Sequence, residues 1–482
     1  MNRQRTKALI AVGIVLVITA CSESTVEQAL ITPTGAAATP PAKLSRDYIA
    51  PMDPVTETPE SVLEPTQPTI ATPATEIPPP ISSPPTPTVE PQVSPVAPTP
   101  LSPTPNGSIG GTAMLGSQVF SMFGPITCRS EEESVKLTHL IYEPDQFDIL
   151  VPMGRMWDSH VTPTDHMYLF SKEGQDVGFV KTPASGRLIS VGSFPREQSP
   201  FWDSSITSPD LRLVIAHSCT LFSVFIHVGE LVPEIAAVVG EIKQGGSWRA
   251  GPDTSIELDA GDPIATFAGS SFDYSLHDDT TILPGFQKPE HYEGESWKVH
   301  TVDPFDYMSD EVAAALLFKN VRQVEPYGGK IDYDEVGTLA GNWFMDGTID
   351  YGGAGLDQHR YWNGHLSISY DHVEPSQIRI SIGRDIGLTS EDCRGCGGVY
   401  AVNSNLPDPA SIRAENGIVK YELTGRMRLN PDDSERSVSD GNLLGIFAAQ
   451  VIDDETIRIE FIRGATSDSV EGFSSESVLY RR

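Results

Sequence analysis

Twenty-one of the chain's 40 prolines fall between Pro33 and Pro105. Proline fixes φ and has no N–H to donate, so neither a helix nor a β-ladder propagates through such a stretch. Its only aromatic residue is Tyr48, which leaves too little apolar surface to offset the entropy of ordering the chain. Residues 22–107 are therefore expected to form a disordered Pro/Thr-rich tether, extended at about 3.1 Å per residue. Any folded core is confined to residues 108–482.

Upstream of the tether, Arg3, Arg5 and Lys7 precede an apolar run over residues 8–20. That run is shorter than the roughly 20 residues a bilayer-spanning helix needs. It ends in Ile18-Thr-Ala-Cys21, which resembles the lipobox of bacterial lipoproteins. The resemblance implies a signal peptide over residues 1–21, a lipid on Cys21, and an exported chain held to the extracytoplasmic face of a membrane by that lipid alone. Acidic residues outnumber basic ones 65 to 33, for a net charge of −32, and no Lys/Arg cluster occurs beyond the N-terminus. A phosphate-neutralising surface needs clustered cations, so nucleic acid is not an expected partner.

Export permits disulfides. Cys128 and Cys219 could bridge within the first folded part. Cys393-Arg-Gly-Cys396 reads as a small-loop disulfide, since no second cysteine pair completes a zinc site.

Two folded parts are expected, residues 108–324 and 325–482, both built of short strands. In the first, residues 212–217 and 221–227 are β-branched and aromatic runs separated by Ser218-Cys-Thr, as in a hairpin. Residues 231–242 predict a short helix with Pro233 in its first turn. A second helix is predicted over residues 310–322, with Ser309 as N-cap and Asp310 and Glu311 complementing its dipole. In the second part, runs such as His365-Leu-Ser-Ile-Ser-Tyr370 and Thr456-Ile-Arg-Ile-Glu-Phe-Ile462 alternate with period two. They predict an antiparallel barrel or sandwich. The overall expectation is a mainly β protein. Asp332-Tyr-Asp334-Glu335 reads as a solvated turn, with a calcium loop as the sharper alternative.

The pieces that carry chemistry lie within residues 157–278. They are His160-Val-Thr-Pro-Thr-Asp165-His166, then Val180-Lys-Thr-Pro-Ala-Ser-Gly186-Arg-Leu188, then Phe225-Ile-His227, then Ala260-Gly-Asp262-Pro-Ile264 running on to Ser271-Phe-Asp273. In order and rough spacing this set resembles the lysostaphin-like zinc endopeptidases of peptidoglycan, which share the duplicated hybrid motif fold. The resemblance implies an antiparallel β domain, zinc as cofactor, metal ligands drawn from His160, Asp165, His166 and Asp273, and His227 as general base. An extended backbone would turn Asp165 and His166 to opposite faces, so one of the two is expected at the metal. The family's first motif spaces its ligands four apart, whereas His160 and Asp165 are five apart. Where the family carries His-x-His, this chain is read as Ser271-x-Asp273. Losing one transition-state donor costs about 10²–10³ in rate. These departures point to a degenerate domain that binds cell-wall glycopeptide, or regulates a wall hydrolase, without cleaving. An active zinc endopeptidase is the alternative.

The C-terminal part opens with Gly341-Asn-Trp343 and closes with Tyr480-Arg481, which resembles lipocalin-like barrels. That resemblance implies capture of a small ligand or oligosaccharide, with Trp343, Tyr361 and Trp362 as stacking surfaces.

Overall fold

Residues 271–278 alternate strictly between two environments. Phe272, Tyr274 and Leu276 are fully buried in an apolar core, while Asp273, Ser275 and His277 project from the other side of the strand. Period-two alternation makes this a strand with one oily and one polar face, and Ser271–Asp278 becomes the centre of the principal sheet. The computed structural model describes residues 113–482 apart from 116–117, 128–133, 158, 173–177, 195–208, 252–253, 255, 268, 353–357, 384–396, 404–405 and 431–432. The expected signal peptide, Cys21, the tether, Cys128, Cys393 and Cys396 lie outside these residues. Cys219 is disulfide-bonded.

Across the principal sheet the strands run in the order Ser247–Arg249, Gly186–Ser193, Leu211–Ala216, Leu221–Val228, Ser271–Asp278, Met167–Ser171 and Phe147–Val151. Ile256–Leu258 and Thr301–Val302 pair at its margins. The predicted hairpin is present as Leu211–Ala216 against Leu221–Val228. Gly178–Lys181 instead leaves this sheet and pairs with Pro263–Phe267. The turn at residues 182–185 is therefore a corner between two sheets.

One face of the sheet closes on the core that contains Phe225, Phe272 and Tyr274. Part of the other face, around Val214, Phe222 and Val224, is covered by Phe123 and Ile126 from a three-stranded sheet over residues 113–127. The rest of that face stays polar and forms the floor of a cavity.

Both predicted helices form. Pro233–Val239 has proline in its first turn. Asp310–Leu317 is capped by Ser309, whose hydroxyl accepts from the Val312 N–H.

From Gly341 onward the chain is a closed antiparallel barrel of eight strands taken in sequence order, with Val478–Arg481 returning to Gly341–Met345. Closure removes exposed strand edges. The interior is filled by Trp343, Leu366, Ile368, Tyr421, Phe447 and Tyr480, all fully buried. Trp343 has no exposed surface, and its Nε1 donates to the Leu339 carbonyl at 3.0 Å. It is a core residue and offers no face for a ligand to stack on. The solvated turn expected around Asp332 is also corrected. Asp332 and Asp334 are buried, and their carboxylates accept the backbone N–H groups of Gly285, Gln287 and Asn342. They join the barrel's entry to the segment that precedes it.

Candidate functional site

The floor consists of Arg212 on Leu211–Ala216, the apolar Val224 and Ile226 on Leu221–Val228, and the polar Asp273, Ser275 and His277 on Ser271–Asp278. Above it stands the loop carrying His160, Asp165 and His166, and a kinked segment, Pro289–His300, that supplies Glu295, Trp297 and Lys298. Tyr351 and Tyr361, from the barrel, close the space. The cavity is about 400 Å³, within the range of small-ligand sites.

The structure brings His160, Asp165, His166, His227 and Asp273 together in this cavity. One expectation is corrected here. Residues 161–166 form a bent loop, not an extended strand, so Asp165 and His166 both face inward and bond to each other at 2.9 Å. A second correction concerns the strand. The cavity-facing positions two apart are Asp273 and Ser275, while Ser271 lies at the strand's start outside the cavity.

His227 owes its orientation to a β-bulge. Leu211 pairs with Val228 but Leu213 pairs with Phe225, so two residues face one across the ladder. At the bulge His227 has φ of 63°, a left-handed conformation that costs a non-glycine residue about 1–3 kcal/mol. Bulges re-aim side chains beside functional sites. Here Nδ1 is directed onto the buried Asp210 carboxylate, 3.0 and 3.2 Å from its two oxygens, and Nε2 lies 3.7 Å from Asp273 Oδ2. Desolvation lowers the His227 pKa, but the Asp210 hydrogen bond and the Asp273 charge outweigh it and raise the value to about 9.

His166 has the same design. Its Nδ1 meets Asp165, and its Nε2 lies 3.0 Å from the Tyr168 hydroxyl and 3.4 Å from Asp273 Oδ2. Burial opposes its protonation, yet the charge of Asp273 and the bond to Asp165 raise its pKa. Burial likewise opposes ionisation of Asp165, but the His166 bond and the Lys298 charge hold it well below the usual carboxylate range. Asp273 Oδ1, by contrast, is buried without any hydrogen-bond partner.

Motif reading did not single out the roof. Glu295 accepts from the hydroxyls of Tyr351 (2.9 Å) and Tyr361 (3.2 Å), and desolvation raises its pKa. Lys298 is buried, donates to the Pro163 carbonyl at 2.6 Å and lies 5.5 Å from the Tyr351 ring centre. Desolvation lowers its pKa, against the pull of Asp165 and Glu295. Arg212 had a visible signal, being the one charged residue in an otherwise apolar strand. Tyr361, read from sequence as a barrel stacking surface, belongs to this roof, and Trp362 packs edge-on against it at 5.3 Å. His277 also reaches the cavity but bonds to Ser275 Oγ at 2.8 Å and to the Trp297 carbonyl at 3.1 Å. His217 is structural, tied to the Ser185 carbonyl and Ser223 Oγ.

Zinc would need three or four ligand atoms about 2.0–2.2 Å from one point. The Nδ1 atoms of His166 and His227 each bond a carboxylate, Asp165 or Asp210, which leaves their Nε2 atoms 3.4 and 3.7 Å from Asp273 Oδ2, while His160 packs edge-on against His166 with ring centres 5.4 Å apart. Among the described residues no three His, Cys, Asp or Glu side chains converge as a ligand set. The residues present form a cavity of paired charges with one unmatched acceptor.

No protein-family model matches this chain, and no curated protein matches it.

Proposed function

We propose that this chain is an exported, lipid-anchored cell-envelope protein whose central cavity binds cell-wall glycopeptide without cleaving it. The observation that carries the reading is the state of the two inward histidines. His166 and His227 are each held between carboxylates, Asp165 or Asp210 on one side and Asp273 on the other. The pKa of His227, raised to about 9, suits a cationic hydrogen-bond donor, whereas a general base must be unprotonated to take a proton. Asp273 and Ser275 are the cavity-facing pair of this strand, and neither supplies a neutral nitrogen ligand. In this reading the lipocalin-like barrel is a scaffold that contributes Tyr351 and Tyr361 to the cavity roof.

The test is sedimentation of the purified full chain with peptidoglycan sacculi, followed by assay of soluble muropeptides with and without added zinc. Co-sedimentation that is lost on His227→Ala, with no muropeptide released, is expected. Zinc-dependent muropeptide release would establish the active endopeptidase instead, and absence of co-sedimentation would remove the wall ligand.

A further inference from the structure

We infer that the cavity takes a small zwitterion, an amino acid or short peptide with both ends free, whose carboxylate is held by Arg212 and whose ammonium is held by Asp273. This rests on the binding reading above and names its ligand class.

Arg212 carries the first half of the argument. Its guanidinium lies over two aromatic rings, 5.5 Å from the centre of Phe123 and 5.3 Å from that of Trp297. Contact with those rings uses none of its N–H groups. Among the described residues its side chain makes no hydrogen bond or ion pair. A guanidinium presents five donors in a rigid fork that matches a carboxylate. Half-buried in a cavity wall, that fork is unspent. Lys298 reinforces the same side, since the Pro163 carbonyl takes only one of its three donors.

Asp273 carries the second half. It is 4 % exposed and lines the cavity, and its Oδ1 has no partner. The other oxygen faces His166 and His227. Each Glu295 oxygen already accepts one hydrogen bond, from the Tyr351 or Tyr361 hydroxyl. Asp165 Oδ1 accepts from His166.

The sheet sets the spacing between the two poles. Asp273 pairs with Ile226, and the next strand places Arg212 beside the same stretch of Leu221–Val228. Their backbones therefore stand two strand spacings apart, about 10 Å. An extended peptide advances about 3.3–3.6 Å per residue, so two or three residues bridge the poles. A simple anion would leave Asp273 Oδ1 without a donor, and a simple cation would leave the Arg212 N–H groups without an acceptor. A ligand with both charges answers both.

The experiment is isothermal titration calorimetry of the full chain with trialanine, trialanine C-terminal amide and N-acetyl-trialanine. Trialanine is expected to bind, and blocking either end is expected to weaken it about tenfold to a hundredfold, as befits one charge-assisted bond. These comparisons alter the ligand, so they do not depend on a variant folding. In Arg212→Met the acid and the amide are expected to bind equally, and Arg212→Lys is expected not to restore the difference. Equal affinity of the native chain for all three peptides, or no binding of trialanine, overturns the inference. If sacculi are still retained in that case, the wall-binding reading stands while the zwitterion site falls. If both are lost, both readings fall.

Discussion

The guanidinium of Arg482 lies 3.9 Å from the centre of the Trp343 ring. The two residues come from opposite ends of the barrel's sequence, and its last strand, which ends one residue before Arg482, closes it by pairing Arg481 with Phe344. Arg482 donates to the carbonyls of Glu335, at 2.7 Å, and Ala340. Its Nε is 3.9 Å from Asp334 Oδ1, which in turn accepts the Asn342 N–H. One buried cation thus ties together the barrel's entry loop, its first strand and its last.

Replacing Arg482 with alanine removes the cation–π contact and leaves Asp334 buried without its counter-charge. Breaking a buried pair on one side costs about 3–5 kcal/mol, and Arg482→Ala should lower urea-denaturation stability by about that much. Arg482→Lys should recover less than half, since an ammonium cannot stack on the ring and reach two carbonyls at once. A loss below about 0.5 kcal/mol, the scale of an ordinary surface change, would show that the barrel closes without this staple.

The His227–Asp210 pair has a pH signature. Its folded pKa is raised to about 9, against roughly 6.5 in an unfolded chain. For a raised histidine the stabilisation is complete below the unfolded value and disappears as pH rises through the folded one, here between about 6.5 and 9. Asp210→Asn should move the His227 titration, followed by its imidazole NMR resonances, down toward 6.5 and flatten that part of the stability profile. If Asp210→Asn leaves the resonance midpoint where it was, Asp210 is not what holds the proton.

What could be read from the chain followed its local periodicity. His365-Leu-Ser-Ile-Ser-Tyr370 alternates and became a barrel strand with those bounds. Ser309 caps its helix because an N-cap needs only its own next three residues. The cavity was half legible, since His160, Asp165, His166, His227 and Asp273 do converge. Its roof was not. Glu295 reaches Tyr351 and Tyr361, 56 and 66 residues away, and Lys298 reaches Pro163 across 135. Such separations leave no periodic trace. Asp332 and Asp334 misled for the same reason, because acidic residues read as solvated unless the distant backbone N–H groups that bury them are known. The expectation of one inward side chain from Asp165 and His166 failed because it assumed a strand where the chain bends.

Lys298 should hold the site's loop. Its ammonium donates to the Pro163 carbonyl, midway between His160 and His166, and lies among Asp165, Glu295 and the Tyr351 ring. Lys298→Met keeps the apolar stem and deletes the donor. Amide exchange at residues 164–166 should then accelerate about tenfold or more, as a lost charged hydrogen bond implies, while the barrel strand His365–Tyr370 keeps its protection. Equal acceleration in loop and barrel would mean that Lys298 supports the whole fold rather than the loop.

Asp279 should make docking of the small N-terminal sheet depend on pH. It is buried where Ser271–Asp278 ends, and neither carboxyl oxygen closes a hydrogen bond. Burial is the main cause that raises its pKa, to about 7; the nearby Met122 backbone offsets part of this and the Asp278 charge adds to it. For a carboxyl raised above its unfolded value of about 3.9, the folded state binds the proton more tightly. Stability is then undiminished below about pH 4, declines as pH climbs toward 7, and stays reduced above it. Asp279→Asn removes the charge while nearly preserving shape. Melting temperatures of the native chain and the variant should coincide near pH 4 and diverge up to pH 7 and beyond, with the variant higher. Because Met122 lies in the turn between Gln118–Ser121 and Gly124–Thr127, amide exchange in that hairpin should slow in the variant at pH 8. A melting difference that does not change with pH would mean that Asp279 keeps its charge, or its proton, throughout.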